Sequence, residues 1–160
     1  MGKETKTNAM RILERMKIPY QLLQYECKEF IDGIHVADAT DVPREQSFKT
    51  LVAQGKSGAY YVLVLPVELE VHLKAAAKIV GEKSIEMLHV KDITQVTGYI
   101  RGGCSPIGMK KQYPTVIHET ALQYDQIYVS GGRIGTTLIL KPTDLAEACR
   151  GRFGNLCAEI

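Results

Sequence analysis

Ser47-Phe48-Lys49-Thr50-Leu51-Val52-Ala53, Gln54-Gly55-Lys56-Ser57-Gly58 and Ala59-Tyr60-Tyr61-Val62-Leu63-Val64-Leu65 run consecutively, and together they set the fold class. Two segments rich in Leu and Val flank a five-residue linker with two glycines, a pattern that predicts an antiparallel β-hairpin. Alternation puts Phe48 and Thr50 on one face of the first strand and Lys49 with Leu51 on the other. A lysine sharing a face with Leu51 reads in two ways. It is an edge-strand residue with its head in water, or it anchors a phosphate or carboxylate at a cavity mouth.

Upstream, Thr7-Asn8 precede Ala9, Met10, Ile12, Leu13 and Met16 at helical spacing, which predicts a capped opening helix that ends before Pro19. Tyr20 to Tyr25 reads as a strand and Val36 to Ala39 as a short helix stopped before Pro43. Downstream, His72 to Val80 predicts a helix capped by Gly81, with Lys74 and Lys78 facing solvent. Ser84 to Leu88 reads as a strand, and Asp92 is expected to cap a helix through Val96 that Gly98 stops. Thr115 to Glu119, Gln126 to Ser130 and Thr136 to Leu140 are strand candidates, the last two divided by Ser130-Gly131-Gly132-Arg133-Ile134-Gly135. Pro142 and Thr143 open a closing helix through Cys149.

Many short strands and few long helices predict an α+β fold: a mixed, strongly curved, barrel-like sheet with flanking helices, not a doubly wound parallel sheet. The length of 160 residues fits one domain spanning 1–160. With 45% hydrophobic and 24% charged residues the chain belongs to neither the disordered nor the membrane class. No apolar run approaches the roughly 20 residues that span a bilayer, and the polar start has no signal core; a cytoplasmic protein without membrane contact is expected.

Twenty basic and 18 acidic residues leave a net charge of +2, too little for a general nucleic-acid binder. Any such contact is expected to be local, for example near Lys110-Lys111 or Arg150 and Arg152. Cys27, Cys104, Cys149 and Cys157 form no Cys-x-x-Cys pair and are expected as reduced thiols, and His35, His72, His89 and His118 show no helical pairing. No metal or other cofactor is expected. The dinucleotide, phosphate-loop and nucleophile-elbow glycine motifs are all absent from the sequence.

Gly98-Tyr99-Ile100-Arg101-Gly102-Gly103-Cys104-Ser105-Pro106-Ile107-Gly108-Met109-Lys110-Lys111 is the richest candidate site. Glycines uncover main-chain N–H groups and Pro106 stiffens the loop, so several donors can aim at one oxygen. The plain alternative is a tight turn between two elements. A second glycine turn, Gly131-Gly132, also adjoins a hydroxyl residue, Ser130, and the two turns are expected to face one cavity.

Phe48-Lys49-Thr50-Leu51-Val52, Gly98-Tyr99-Ile100-x-Gly102-Gly103-x-Ser105-Pro106-Ile107-Gly108 and Tyr128-Val129-Ser130-Gly131-Gly132 together resemble the YbaK-type aminoacyl-tRNA deacylases, relatives of the prolyl-tRNA synthetase editing domain. The resemblance runs over essentially the whole chain. It implies hydrolysis of a mischarged aminoacyl-tRNA, with cysteine on a proline tRNA as substrate and prolyl-tRNA synthetase as a partner. By the same resemblance Lys49 holds the tRNA 3' end with Thr50 beside it, and Gly102, Gly103, Cys104, Ser105 and Pro106 embrace the aminoacyl carbonyl and amine through main-chain groups. Ser130, Gly131 and Gly132 form a second wall, and Tyr25 matches an aromatic residue at the rim.

Three positions depart from the family pattern. Cys104 stands where relatives often carry an aliphatic residue, while Thr136-Thr137 and His35 stand where an acidic residue is common. The implied chemistry uses the substrate's own thiol and needs no protein nucleophile; Cys104 is the rival nucleophile. Two further readings remain open: a non-catalytic module that binds a tRNA end, a nucleotide or a protein, and a deacylase for another small amino acid such as alanine.

Overall fold

The computed structural model describes residues 6–25 and 33–157; Cys27 lies outside them. Helix α1 (Asn8–Arg15) begins where expected, because the Thr7 hydroxyl accepts the Met10 N–H at 3.3 Å and Ala9, Met10 and Leu13 are buried together. Strand β1 (Gln21–Gln24) and helix α2 (Gly33–Ala39) follow. The hairpin forms as β2 (Phe48–Gly55) and β3 (Tyr60–Pro66), in register from Phe48 opposite Pro66 to Gln54 opposite Tyr60. Helix α3 (Leu73–Val80) ends at Gly81, and β4 (Ile85–Met87) returns to pair with β2.

Helix α4 (Ile93–Thr97) ends at Gly98 as predicted, but the Asp92 side chain makes no capping bond. Asp92 itself has helical φ and ψ, closing a 3-10 turn over Val90–Asp92, so its carboxylate is not presented to the free N–H groups. Strands β5 (Thr115–His118), β6 (Ile127–Arg133) and β7 (Thr136–Leu140) precede α5 (Pro142–Cys149), whose first residue is proline. A further short strand, β8 (Arg152–Gly154), was not anticipated: three residues carry no readable period. The expected loop Ser130 to Gly135 is also shorter than read. Strand β6 runs through both glycines to Arg133, with its register to β7 shifting between Ser130 and Arg133.

The strands make two sheets, ordered β1-β7-β6 and β4-β2-β3-β5-β8. The larger sheet is mixed, as expected, since β3, β5 and β8 run parallel while β2 is antiparallel to both its neighbours. No closed or curled barrel forms among the described residues, which corrects that part of the expectation. The reason lies along one edge of β2. Strand β6 reaches it only through a single parallel bridge, Ser47 to Tyr128, while β4 takes the same edge at Ala53–Gly55. Between those points the sheets part.

Both faces of the larger sheet are buried. Phe48, Val62, Val64 and Ile117 pack against Ile127, Val129, Leu138 and Leu140 of the smaller sheet, with α1 and α5 closing the ends. Leu63, Leu65, Ala53 and Val116 pack on the alanine face of α3. Each large aliphatic side chain so covered contributes roughly 1.5–3 kcal/mol, which makes the two cores the main support of the edge left open on β2. No helix among the described residues is long and apolar enough to cross a membrane.

Candidate active site

The parting of the sheets leaves a cavity of about 350 Å³. Its floor is β2 from Ser47 to Val52, and Tyr128, Val129 and Ser130 of β6 stand opposite. Thr136 and Thr137 close the inner end; Arg101, Gly102 and Cys104 of the glycine loop form one flank and Tyr25 another. Met87, Val90 and Ile93 complete the outer side.

Strand pairing explains what the floor presents. Gly55 donates its N–H to the Ala59 carbonyl on the β3 side, and Leu88 donates to the Val52 carbonyl on the other. The alternation of antiparallel pairing therefore turns the main-chain N–H and C=O of Thr50 away from β3, toward the cleft between β4 and β6. The Thr50 hydroxyl has no hydrogen-bond partner among the described residues although its oxygen is fully buried. Leaving such a group unpaired costs about 1–3 kcal/mol.

The two glycine turns meet directly. A Cβ on Gly103 would lie 2.9 Å from the Arg133 Cα and 3.0 Å from the Ile134 nitrogen, so only a glycine lets the loop close on the β6–β7 turn. Helix α1 fastens both segments from behind. The Thr7 hydroxyl that caps it also donates to the Gly131 carbonyl at 2.5 Å, and the Asn8 amide donates to the Gly108 carbonyl at 2.7 Å. The Tyr99 hydroxyl, buried, donates to the Ile107 carbonyl at 2.6 Å.

Of the residues singled out from the sequence, Tyr25, Lys49, Thr50, Gly102, Cys104 and Ser130 line the cavity. Gly103, Ser105, Pro106, Gly131 and Gly132 are not among its lining residues. Ser105 is fully buried with its hydroxyl accepting the Ile107 N–H at 3.3 Å, a turn-forming role, and Ser130 likewise accepts the Gly132 N–H at 3.3 Å. Met87, Val90 and Ile93 were not singled out; Arg101 and Tyr128 appeared only inside longer motifs with no role, and Thr136 and Thr137 only as departures from a pattern. A long-range cavity wall leaves no local signature, and the one usable signal was the polar pair Thr136-Thr137 inside an otherwise apolar strand.

The charged residues that the described part of the chain brings to the cavity are of one sign. Among the described residues Lys49 and Arg101 line it and no carboxylate does. The Lys49 ammonium donates to the Val67 carbonyl at 3.4 Å, and its charge is felt by the Cys157 thiol. Burial pushes the Cys104 thiol up to about 11, with the Thr97 hydroxyl pulling weakly the other way. Burial thus favours the neutral thiol, so Cys104 is a poor nucleophile in this setting.

Residues 34–148 match the family model of the aminoacyl-tRNA editing domain. The chain belongs to the aminoacyl-tRNA editing domain family. It is 43% identical over 154 residues to an Enterococcus faecalis protein, EbsC, described as a candidate Cys-tRNA(Pro)/Cys-tRNA(Cys) deacylase; the match covers 96% of this chain and 94% of that one. The fold recurs at low identity. A solved structure titled as a candidate trans-editing enzyme for prolyl tRNA synthetase superposes with a TM-score of 0.81 at 18% identity, covering 98% of this chain and all of the other. Another, of the hypothetical protein APE2540, gives 0.85 at 20% identity over 93% of this chain and 98% of its own. Within this editing-domain fold the cavity occupies the seam between the two sheets.

Proposed function

We propose that this chain is a trans-editing aminoacyl-tRNA deacylase that removes cysteine from mischarged Cys-tRNA(Pro), with residues 1–160 working as one cytoplasmic editing unit. The observation that carries the reading is the near full-length 43% identity to the E. faecalis protein. The cavity agrees with it in chemistry: hydroxyls and main-chain groups at its inner end, cations at its mouth, and a protonated thiol in place of a nucleophile.

The mechanism follows from those groups. The cysteinyl sulfur attacks its own ester carbonyl, forming an S–C bond while the C–O bond to the terminal ribose breaks and that oxygen takes a proton; water then opens the thiolactone to free cysteine. The rate comes from holding thiol and carbonyl in reacting geometry, since well-oriented intramolecular reactions reach effective molarities on the order of 10⁵ M or more. Main-chain N–H groups of Gly102 and Cys104, the residues of the Gly102–Pro106 loop that line the cavity, stabilise the developing oxyanion, worth about 3 kcal/mol per donor. Lys49 holds the tRNA 3' end, Thr50 and Ser130 bound the aminoacyl group, and Tyr25 covers the rim. The need for such an enzyme is physical: a proline site cannot exclude a smaller amino acid strongly by binding alone.

A net charge of +2 gives weak, salt-sensitive tRNA binding. Association with prolyl-tRNA synthetase would supply the missing affinity and is part of the proposal. The test is incubation of the purified protein with cysteine-, alanine- and proline-charged tRNA(Pro). Release of cysteine with proline left intact is expected. Preferential release of alanine overturns the substrate assignment, and release of none overturns the enzyme in favour of a binding module.

A further inference from the structure

Two glycines, one from the glycine loop and one from β6, close on the same tyrosine ring. A Cβ on Gly108 would stand 2.9 Å from the Tyr99 hydroxyl, and one on Gly132 would stand 3.0 Å from Cε1 of that ring. Tyr99 is buried and its hydroxyl is tied to the Ile107 carbonyl, so the ring is a fixed spacer between the two segments.

The start of α1 holds both segments to that spacer. Gly131 and Gly132 fall between the register pairs of β6 and β7, where the ladder shifts, and the buried Gly131 carbonyl takes its donor from elsewhere. That donor is the Thr7 hydroxyl, 124 positions away in sequence and 2.5 Å away in space. The next residue, Asn8, gives its side-chain amide to the Gly108 carbonyl at 2.7 Å. Gly131 follows Ser130, which lines the cavity, and Gly108 ends the loop whose Gly102 and Cys104 line it. Thr7 already makes the capping bond of α1, so the helix itself has no need of the exposed Asn8 amide. Both residues also precede the segment 34–148 that matches the family model.

Resting on the deacylase reading, we infer that Thr7 and Asn8 are positioning residues. Their adjacent hydrogen bonds clamp the carbonyl-binding loop and the Ser130 wall at the separation that keeps the aminoacyl group in reacting geometry. Neither bond reaches β2, which carries Lys49, so the clamp acts on the chemical step and not on tRNA capture.

The test uses the whole chain and two substitutions at Asn8. Asn8→Ala removes the amide from an exposed helical position, and Asn8→Asp removes the donor while adding a charge that favours a helix N-terminus. Both are expected to lower kcat for cysteine release at least about fivefold and to leave KM for charged tRNA within about twofold. Tm is expected to stay unchanged in Asn8→Ala and to stay unchanged or rise in Asn8→Asp. Thr7→Ser, which keeps both donor and acceptor, should retain most of kcat. Glu14→Gln, which breaks the contacts of α1 with Lys6 and Tyr20 away from the two walls, controls for loosening of the helix. A readout without substrate is the NMR amide signals of Gly102, Cys104 and Ser130, which should shift in both Asn8 variants and not in Glu14→Gln. Wild-type kcat and unmoved signals in both Asn8 variants overturn the clamp and leave the deacylase standing. A fall in kcat that merely follows a fall in Tm, and appears equally in Glu14→Gln, also overturns it. Shifted signals in the Asn8 variants, with no charged tRNA hydrolysed even by the native chain, sustain the coupling of α1 to the cavity walls and overturn the deacylase.

Discussion

Gly103 and Arg133 meet backbone against backbone, with room for no side chain between them: a methyl group on the Gly103 Cα would stand 2.9 Å from the Arg133 Cα. This contact joins the glycine loop to the β6–β7 turn and so sets the spacing of two cavity walls. The strain of substitution is steric, because Gly103 is not among the residues with positive φ.

Gly103→Ala is therefore expected to push the loop off the turn. Overpacking of this kind costs about 1–3 kcal/mol, read as a fall in Tm of about 3–10 °C. Displacement of the walls by even an ångström is expected to lower kcat/KM for Cys-tRNA(Pro) by at least about tenfold, in line with the steep dependence of intramolecular reactions on geometry. An alanine variant with native Tm and activity would mean that this contact does not position the site.

Thr50 and Thr120 offer a matched pair. Each has a buried hydroxyl oxygen with no partner, but only Thr50 lines the cavity. Replacing either by valine removes an unsatisfied polar group, and both variants are expected to be more stable by about 1 kcal/mol. Thr50→Val should lose about tenfold or more in kcat/KM while Thr120→Val keeps full activity, and Thr50→Ser should restore most of the loss. Equal activity of the two valine variants would show that the Thr50 hydroxyl meets no substrate.

Lys49 reaches the cavity from the Leu51 face and rests on the Val67 carbonyl. Lys49→Ala is expected to raise KM for charged tRNA by at least about tenfold, with a smaller fall in kcat, and to reduce the salt dependence of binding by about one unit of slope. Normal KM and an unchanged slope would remove Lys49 from the tRNA contact.

The hairpin was legible because Leu63 and Leu65 alternate with Val62 and Val64 in a run that is apolar on both faces, the mark of a strand covered on both sides. Thr7, Gly81, Gly98 and Pro142 announced their helix ends through local chemistry. What stayed hidden depends on tertiary geometry. Whether β6 closes onto β2 is decided by competition with β4 for one edge, and no local pattern records that. The cavity was half legible for the same reason: glycines and Lys49 stand out in sequence, whereas Val90 becomes noticeable only when it is found exposed on the rim of the same cavity as Arg101.

Cys104 and Cys149 make an alkaline prediction. Burial raises them to about 11 and about 12 from an unfolded value near 9. Each favours the fold in its neutral form, so its contribution is full below about pH 9 and is lost as pH rises through the folded value. Tm is expected to fall between pH 9 and 11, and Cys104→Ser should flatten the first part of that fall. The same variant is expected to keep most of its deacylase activity at pH 7.5; complete loss would favour covalent catalysis by Cys104.

His118 governs the acid side. It is buried, its Nδ1 accepts the Leu156 N–H at 3.0 Å, and burial holds its pKa below the ordinary value. The neutral ring favours the fold, so this contribution is present above about pH 6.5 and is lost as pH falls through the lower folded value. Glu14, Asp38 and Glu82 also have lowered pKa values, but as carboxylates they titrate at more acid pH. Protonation of Nδ1 sets two donors against each other and frees the Leu156 amide, while the Leu156 carbonyl still accepts from the His72 N–H at 2.7 Å. Leu156 is fully buried against the α3 core, and the next residue, Cys157, is the thiol that feels the Lys49 charge. Acid is thus expected to loosen the C-terminal segment and, with it, the surroundings of Lys49. Amide exchange at Leu156, corrected for its intrinsic pH dependence, should accelerate as pH falls below about 6.5, and His118→Asn, which keeps an acceptor that takes up no proton there, should abolish the acceleration. Protection that is independent of pH in the native chain would mean that His118 stays neutral throughout and that the segment is held by packing alone.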